Sequence, residues 1–182
     1  MTAEVAALTT ALVLIALVVW TSLKTGSPPT PTSPSVRRTM MRTLPDRLPG
    51  NEGAAIAELG SGWGGVAFAL AKRYPQHPII GYEVSALPWA VSRLRLLVQP
   101  RANLQFRIMD FMRADLSGVA LSICYLMPDT MARLRDKLGS ELPDGALVLS
   151  NTFAMPDWHA LDQVNAPDLY SSPVYLYEIS KK

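Results

Sequence analysis

The chain has 182 residues, of which 49% are apolar and 18% charged, and its formal net charge is +2. This composition excludes a wholly disordered chain, and the length suits one domain of ordinary size. Residues 54–182 carry twelve basic and twelve acidic side chains, so they lack the positive field that gathers nucleic acid, and we expect no nucleic-acid partner. The only cysteine is Cys124, which excludes an intrachain disulfide and a cysteine metal cluster; we expect a reducing compartment and no metal site.

The chain begins with a long apolar run. Nineteen uncharged residues lie between Glu4 and Lys24, and as a helix they would span roughly 28 Å, close to the thickness of the bilayer hydrocarbon. A signal peptide would begin with a positively charged segment, but no basic residue precedes this run. The sequence therefore predicts a transmembrane anchor over residues 1–24, in contact with the bilayer through residues 5–23. A buried core helix and a signal peptide are the alternatives.

The positive charges follow this run, at Lys24 and at the arginines that begin with Arg37. The positive-inside rule then places the rest of the chain in the cytoplasm. We therefore expect a single-pass protein of a bacterial inner membrane, or of the equivalent organelle membrane, with a cytoplasmic domain.

Residues 25–53 are predicted to form a proline-rich linker and a basic helix. Residues 25–35 contain four prolines and one glycine, a composition typical of an extended spacer. Beyond them Val36, Met40 and Leu44 recur at roughly helical spacing, with arginines between. We expect a short helix that covers the edge of the domain, places a basic face against anionic lipid, or does both.

Residues 54–182 alternate predicted strands with predicted helices. Strands are expected at 54–59, 78–83, 104–109, 119–127, 146–153 and 174–179, with a weaker one at 161–164, and helices at 66–73, 87–98 and 129–142. Continuous apolar strands that alternate with helices indicate an α/β fold with a mostly parallel sheet covered on both faces. In helix 87–98 we expect Trp89, Leu94 and Leu97 on the core side; in helix 129–142 we expect Lys137 to face outward.

The strongest motif follows the first predicted strand and opens the first helix of this region. It reads Glu58-Leu59-Gly60-Ser61-Gly62-Trp63-Gly64. Glycines here let the backbone approach a ligand and adopt positive φ, and the helix N-terminus adds partial positive charge. A tight strand-to-helix turn without a ligand is the alternative.

Two further carboxylates follow the next two predicted strands. Glu83 ends the second strand, where a carboxylate can accept both hydroxyl groups of a ribose, and Asp110 ends the third beside Phe111, within reach of an adenine ring. Together with Glu58, these side chains predict a nucleoside site at the carboxyl edge of the sheet. For Asp110, a helix cap is an equal alternative.

The position of Glu58 helps to decide which nucleoside-containing cofactor the site would bind. The pattern Gly60-x-Gly62-x-x-Gly65 also fits a dinucleotide fingerprint. A carboxylate two places before the first glycine would oppose a pyrophosphate, however, and it suits the cationic amino-acid end of S-adenosylmethionine. The chain also leaves little length for a separate substrate domain, so we expect S-adenosyl-L-methionine as cofactor.

With these motifs, residues 54–182 resemble the class I S-adenosylmethionine-dependent methyltransferases. The motif Glu58-x-Gly60-x-Gly62-x-Gly64, then Glu83, then Asp110, follows the order in which the corresponding residues occur in that superfamily. The resemblance implies a Rossmann-like, doubly wound sheet of about seven strands with a C-terminal antiparallel strand. It assigns cofactor binding to Glu58, Gly60, Gly62, Gly64, Glu83 and Asp110. Trp63 departs from the small or acidic residue that many members carry before the third glycine.

Within the superfamily, the chain is most similar to a group of small protein lysine methyltransferases. The group includes archaeal enzymes and membrane-tethered mitochondrial enzymes that modify the ATP synthase c subunit and the adenine nucleotide carrier. Shared features are an apolar N-terminal segment, Pro31-Thr32 before a short helix, a strand that ends in residues 151–158, and an aromatic last strand. The resemblance implies methyl transfer to a lysine of a protein, which we expect to be membrane-associated.

Four residues are candidates for the substrate side of such a site. Tyr125 and Asp129 follow the fourth predicted strand, and Asp157 and Trp158 follow the fifth. Asp129 could instead cap a helix, Asp157 could be an ordinary turn residue, and Trp158 could belong to the core. Two other functions stay open: methylation of a membrane-soluble small molecule such as a quinone or lipid, and a non-catalytic protein of the same fold that serves as a membrane partner.

Overall fold

A computed structural model of the chain describes residues 2–25, 30–50 and 53–181. The helices are α1 (Ala3–Thr25), α2 (Pro34–Thr43), α3 (Gly65–Arg73), α4 (Ala86–Val98) and α5 (Pro128–Glu141). The strands are β1 (Ala55–Leu59), β2 (Ile79–Glu83), β3 (Leu104–Ile108), β4 (Val119–Cys124), β5 (Leu147–Asn151), β6 (Asp162–Asn165) and β7 (Pro173–Glu178). A 3-10 helix covers Phe111–Arg113. Part of the predicted proline-rich linker, residues 26–29, lies outside the described residues.

The seven strands form one sheet in the order β3-β2-β1-β4-β5-β7-β6. The pairs from β3 through β5 are parallel, whereas β7 runs antiparallel to both β5 and β6. The predicted Rossmann-like sheet with a C-terminal antiparallel strand is thereby confirmed. Strand order reverses between β1 and β4, and at such a reversal the carboxyl ends of the strands open a crevice.

Apolar layers cover both faces of the sheet. On one face, α2 and α3 pack against the alternate side chains of the strands, including Ile56, Ile79 and Phe106. On the other face, α5 buries Met131, Leu134 and Leu138 against the sheet. The strands β1, β4 and β5 are buried almost throughout, as strands covered on both sides must be.

Helix α2 belongs to this packed body. Ser33 caps the helix, because its Oγ accepts a hydrogen bond from the Val36 amide at 3.3 Å, and Pro34 occupies the first turn, where no amide is needed. Met40 is 1% exposed in the core between α2 and α3. Beyond the helix, the Arg73 guanidinium donates to the Leu44 carbonyl at 2.8 Å, which holds the chain against α3.

The transmembrane anchor predicted for residues 1–24 is wrong. Within the three described ranges, no helix has the length and apolarity needed to cross a bilayer. Helix α1 carries polar groups within the predicted anchor, with Glu4 in its first turn and hydroxyl groups at Thr9 and Thr10. The bilayer contact predicted for residues 5–23 loses its basis with the anchor.

Two predictions about helix faces are also wrong. Leu94 and Leu97 are 63% and 74% exposed, and α4 turns Ser92 inward instead, with the hydroxyl 2.9 Å from the Gly62 carbonyl. Lys137, expected outward, is buried because its Nζ donates to the Ala114 carbonyl at 2.7 Å and to Glu141. In both helices, a polar side chain that hydrogen-bonds to a distant carbonyl takes an inward position, although apolar periodicity predicts another inner face.

Candidate functional site

A cavity of about 580 Å³ opens at the carboxyl ends of β1, β2 and β4. Its walls come from the loop between β1 and α3, from the strand ends, and from α2 with the segment before it. Five of the six predicted cofactor-binding residues line it: Glu58, Gly60, Gly62, Glu83 and Asp110. The strand reversal of the sheet therefore brings together the side chains that the sequence placed at separate strand ends.

The glycine loop turns sharply above the sheet. Gly60 and Gly62 have φ of +79° and +50°, in the left-handed region that side chains disfavour. The amides of Gly60 and Ser61 both donate to the Tyr82 carbonyl, at 3.0 and 2.8 Å, which fixes the loop to β2. A Cβ atom built on Gly62 would meet nothing within 4 Å, so the backbone there is open to the cavity for close approach by a ligand.

Gly64 has a different role from the one predicted. It does not line the cavity, and a Cβ atom there would lie 2.7 Å from Cζ of Phe106. Gly81 on β2 leaves space for the same ring, since a Cβ atom at that position would lie 2.7 Å from Cδ1 of Phe106. The third glycine of the loop thus makes room for a core aromatic side chain, and its assignment to cofactor binding stays a prediction.

Glu58 is buried at the base of the cavity, with 7% exposure. Loss of solvation raises the pKa of its carboxyl group to about 8; a hydrogen bond from Ala67 opposes this rise, and the nearby Glu83 charge adds to it. Its Oε2 atom has no hydrogen-bond partner among the described residues. A buried, unpaired carboxylate oxygen at a cavity wall is suited to receive a cationic donor.

Glu83 is held by the backbone on both of its oxygens. Oε2 accepts from the Gly62 amide and Oε1 from the Ser85 amide, each at 2.7 Å. A carboxylate oxygen has two lone-pair sites, so each oxygen can accept one further hydrogen bond. The side chain is therefore fixed in orientation and can still accept two hydroxyl groups.

Asp110 is an exposed residue of the cavity lining. Its Oδ1 accepts from the Met112 amide at 2.9 Å and caps the 3-10 helix Phe111–Arg113. The residue lines the cavity beside Phe111 and Met112. The helix-cap alternative therefore describes what the side chain does in the structure, and the same cap positions Phe111 at the cavity wall.

Of the four predicted substrate-side residues, only Tyr125 lines the cavity. Its ring stacks on that of Phe153, which follows β5, with ring centroids 6.4 Å apart and an angle of 19° between the planes. Asp129 lies exposed in the first turn of α5, outside the cavity lining. Carboxylates in the first turn of a helix are favourable on their own, so the position needs no substrate to explain it.

Asp157 and Trp158 lie away from the cavity. Asp157 pairs with Arg135 on the outer side of α5. Trp158 packs edge-on against Tyr177, with ring centroids 5.8 Å apart, within the core beneath α5. These contacts favour structural roles for both residues, whose catalytic assignment stays a prediction.

Sequence reasoning missed the wall that α2 contributes. Arg37 and Met40 line the cavity, together with residues 30–32 of the preceding segment. In the sequence, Pro31-Thr32 stands out only as a shared feature of a group, and Arg37 only as one of several basic residues. No periodic or spacing signal connects these positions to a loop more than twenty residues further along the chain.

Comparison with known proteins agrees with this geometry. One relative is the adenine nucleotide translocase lysine N-methyltransferase of Mus musculus, 35% identical over 129 residues, or 64% of this chain and 54% of the relative. Another, from Rattus norvegicus, is the lysine N-methyltransferase of the ATP synthase c subunit, 32% identical over 106 residues, or 57% of this chain and 47% of the relative. The chain spans about half the length of these curated relatives.

A solved structure shows the same fold. The RNA methyltransferase from Salinibacter ruber in complex with S-adenosyl-L-homocysteine has a TM-score of 0.69 and 25% identity, with 84% of this chain and 95% of that chain covered. The model of one family, described as the ANTKMT methyltransferase domain, matches residues 58–162, which is more than half of the chain. The match begins at Glu58, includes the glycine loop, Glu83 and Asp110, and ends on β6. The chain thus belongs to the ANTKMT methyltransferase domain family.

Proposed function

We propose that this protein transfers a methyl group from S-adenosyl-L-methionine to the side-chain amine of a lysine in a protein. One observation carries the proposal: the cavity brings the carboxylates of Glu58 and Glu83 and the open backbone at Gly62 to one edge of a methyltransferase-family sheet. The names of the two relatives, both lysine N-methyltransferases, support lysine as the acceptor.

The residues of the cavity fit the parts of this cofactor. The unpartnered Oε2 of Glu58 faces a site for the cofactor's ammonium group, which would compensate the buried carboxylate. Glu83 offers one lone pair on each oxygen for the two ribose hydroxyls, and Phe111 lies at the wall where the adenine would pack. The methyltransferase from Salinibacter ruber, which has S-adenosyl-L-homocysteine bound, supports the same cofactor class.

The bound cofactor supplies an activated sulfonium methyl group. The protein has to position a neutral lysine amine in line with that methyl group, because the nitrogen lone pair forms the new bond as the sulfur–carbon bond breaks. Tyr125 and Phe153 form a stacked aromatic wall beside the cavity, which can enclose the apolar methylene chain of a lysine. Exclusion of water by these rings also favours the neutral amine over the ammonium form.

The target that we propose is a lysine of a membrane-associated protein, in line with the group that the sequence resembles. We also propose a reducing compartment, the cytoplasm or its organelle equivalent, since Cys124 is a buried free thiol and the chain has no second cysteine.

The test is incubation of the purified protein with cofactor that carries a radioactive methyl group and with separated membrane and soluble fractions of cells. We expect label in protein of the membrane fraction, and methyl-lysine after acid hydrolysis. Glu58→Ala should abolish labelling, whereas Asp136→Asn, which changes an exposed side chain outside the cavity, should retain it.

Label in extracted lipid would replace the protein substrate with a membrane-soluble small molecule, and label in RNA would replace it with nucleic acid. Label in soluble protein alone would refute the membrane-associated target but not lysine methylation. If no fraction were labelled and the protein did not bind S-adenosyl-L-homocysteine, the proposed methyltransferase activity would be refuted.

A further inference from the structure

Arg37 lies on α2, which forms part of the cavity wall. It is half-buried and lines the cavity, whereas the next residue, Arg38, is exposed and does not. A Cβ atom built on Gly65 would lie 3.1 Å from Nη1 of Arg37. The guanidinium group therefore sits directly over the first residue of α3.

The core fixes the position of the helix that carries this side chain. Val36 and Met40, on the inner face of α2, are buried in the core, and Ser33 caps the helix start. In the part of the chain that the structure describes, Arg37 forms no ion pair with a carboxylate. A guanidinium that lines a cavity, without a carboxylate partner among the described residues, is available to a ligand anion.

The N-terminus of α3 adds to the positive potential at this place. Gly64 precedes the helix and offers no side chain as a cap, so the first amides depend on other partners. Ser61, 4% exposed, has an Oγ atom with no hydrogen-bond partner among the described residues, and it lines the same cavity. A guanidinium, a hydroxyl and helix amides thus lie around one end of the cavity, all able to donate to an anion.

The acceptor for a cation is also present at this end. Glu58 lies on the strand that leads into the loop, it receives a hydrogen bond from the Ala67 amide in the first turn of α3, and its Oε2 is unpartnered. An α-amino acid carries an ammonium and a carboxylate on one carbon atom, so its recognition requires an anion and a cation close together. Glu58 and Arg37 supply that pair, because each lies beside the first turn of α3, Glu58 at the Ala67 amide and Arg37 at Gly65.

We propose that Arg37 binds the α-carboxylate of the cofactor's amino-acid part, while Glu58 binds its ammonium group. This inference rests on the proposed function, because it names a further contact of the same cofactor site. Arg37 thereby makes α2 part of the binding site as well as part of the core. The planar guanidinium can donate two parallel hydrogen bonds to a carboxylate, which a lysine could not reproduce.

The experiment compares two ligands by titration calorimetry. S-adenosyl-L-homocysteine carries the carboxylate, whereas 5′-methylthioadenosine keeps the adenine, ribose and sulfur but lacks the amino-acid part. Arg37→Met should weaken binding of S-adenosyl-L-homocysteine by about 10- to 100-fold, the range for a charged hydrogen bond, and leave 5′-methylthioadenosine binding unchanged. Arg38→Met is the matched control and should change neither affinity.

Two further variants keep the proposal falsifiable. Arg37→Lys retains the charge and should show a smaller loss, again for S-adenosyl-L-homocysteine alone, even if Arg37→Met does not fold. Arg133→Met removes the arginine that α5 contributes to the cavity lining and should change the affinity ratio of the two ligands less than Arg37→Met.

Equal losses for both ligands in the Arg37 variants, or a selective loss in Arg133→Met only, would overturn the assignment. If the unaltered protein bound 5′-methylthioadenosine and S-adenosyl-L-homocysteine equally well, no carboxylate contact would exist, although the nucleoside site would stand. If it bound neither, the proposed function itself would fail.

Discussion

Glu58 combines two properties that conflict in the absence of a ligand: it is buried, and it is acidic. Burial raises the pKa of its carboxyl group to about 8 from an ordinary value of 4.5, so the folded protein holds a proton that the unfolded chain releases above pH 4.5. The neutral carboxyl group therefore stabilises the fold fully below pH 4.5, and that stabilisation is lost as the pH rises through about 8.

We therefore expect the stability of the ligand-free protein to fall between pH 5 and pH 8, by an amount on the order of a few kcal/mol. Glu58→Gln, which is neutral at every pH, should flatten this decline. Urea unfolding at several pH values measures it. Parallel curves for the two proteins would show that Glu58 does not cause the pH dependence.

A second prediction at Glu58 concerns proton release. At pH 7 the carboxyl group is largely protonated in the free protein, and an ammonium partner lowers its pKa. Binding of S-adenosyl-L-homocysteine at pH 7 should therefore release up to about one proton per molecule. Calorimetry in two buffers of different ionisation enthalpy detects the release; Glu58→Gln should abolish it, and a buffer-independent enthalpy in the unaltered protein would contradict it.

At the scale of the elements, two glycines of the loop between β1 and α3 are needed for different reasons: Gly62 for its backbone conformation, and Gly64 also for the space that its missing side chain leaves. Gly62 and Gly64 both have positive φ, but only at Gly64 would a Cβ atom collide with another group, the Phe106 ring at 2.7 Å. Alanine at 62 should cost about 1–2 kcal/mol for the left-handed backbone alone. Alanine at 64 should cost that and about 1–3 kcal/mol more for overpacking.

We thus expect Gly64→Ala to lower Tm clearly more than Gly62→Ala, and thermal unfolding of the two variants measures the difference. Gly62→Ala should weaken binding of S-adenosyl-L-homocysteine, because its new methyl group projects into space at the cavity that is otherwise open. Equal Tm values would mean that Phe106 moves aside at little cost. Unchanged affinity in Gly62→Ala would remove the close backbone approach from the site.

At the scale of the whole molecule, α2 joins the segment before the sheet to the core. Val36, Met40 and Leu44 are all buried, and each buried side chain of this size contributes about 1.5–3 kcal/mol. Their sum is comparable with the total stability of an ordinary domain, about 5–15 kcal/mol. A chain without α2 should therefore lack most of its margin of stability.

Two fragments test the contribution of α2 to the stability of the protein. A fragment of residues 30–182 keeps the Ser33 cap and should unfold cooperatively in urea, whereas a fragment of residues 50–182 should be several kcal/mol less stable or unfolded. Circular dichroism follows both transitions. Equal midpoints for the two fragments would show that α2 is only an attachment to an independent domain.

The alternation of strands and helices was predictable from sequence because it depends on local patterns. Strand β1, the glycine loop and Glu83 follow from apolar runs, turn residues and the rule that parallel strands end at one edge. The carboxylates at these strand ends meet in the cavity because the strand order reverses between β1 and β4. The nucleoside site was therefore accessible from the order of residues alone, together with general topology rules.

Other features depend on contacts between distant parts of the chain, which no local pattern contains. Ser92 faces inward because it meets the Gly62 carbonyl, and Lys137 is buried because it meets the Ala114 carbonyl. The roles of Gly64 and Arg37 likewise depend on neighbours from β3 and α3. The sequence by itself determined the strand-and-helix order and the carboxylate series of the site. Only the tertiary structure decided which side chains close the cavity, since that choice depends on long-range packing and on buried polar partners.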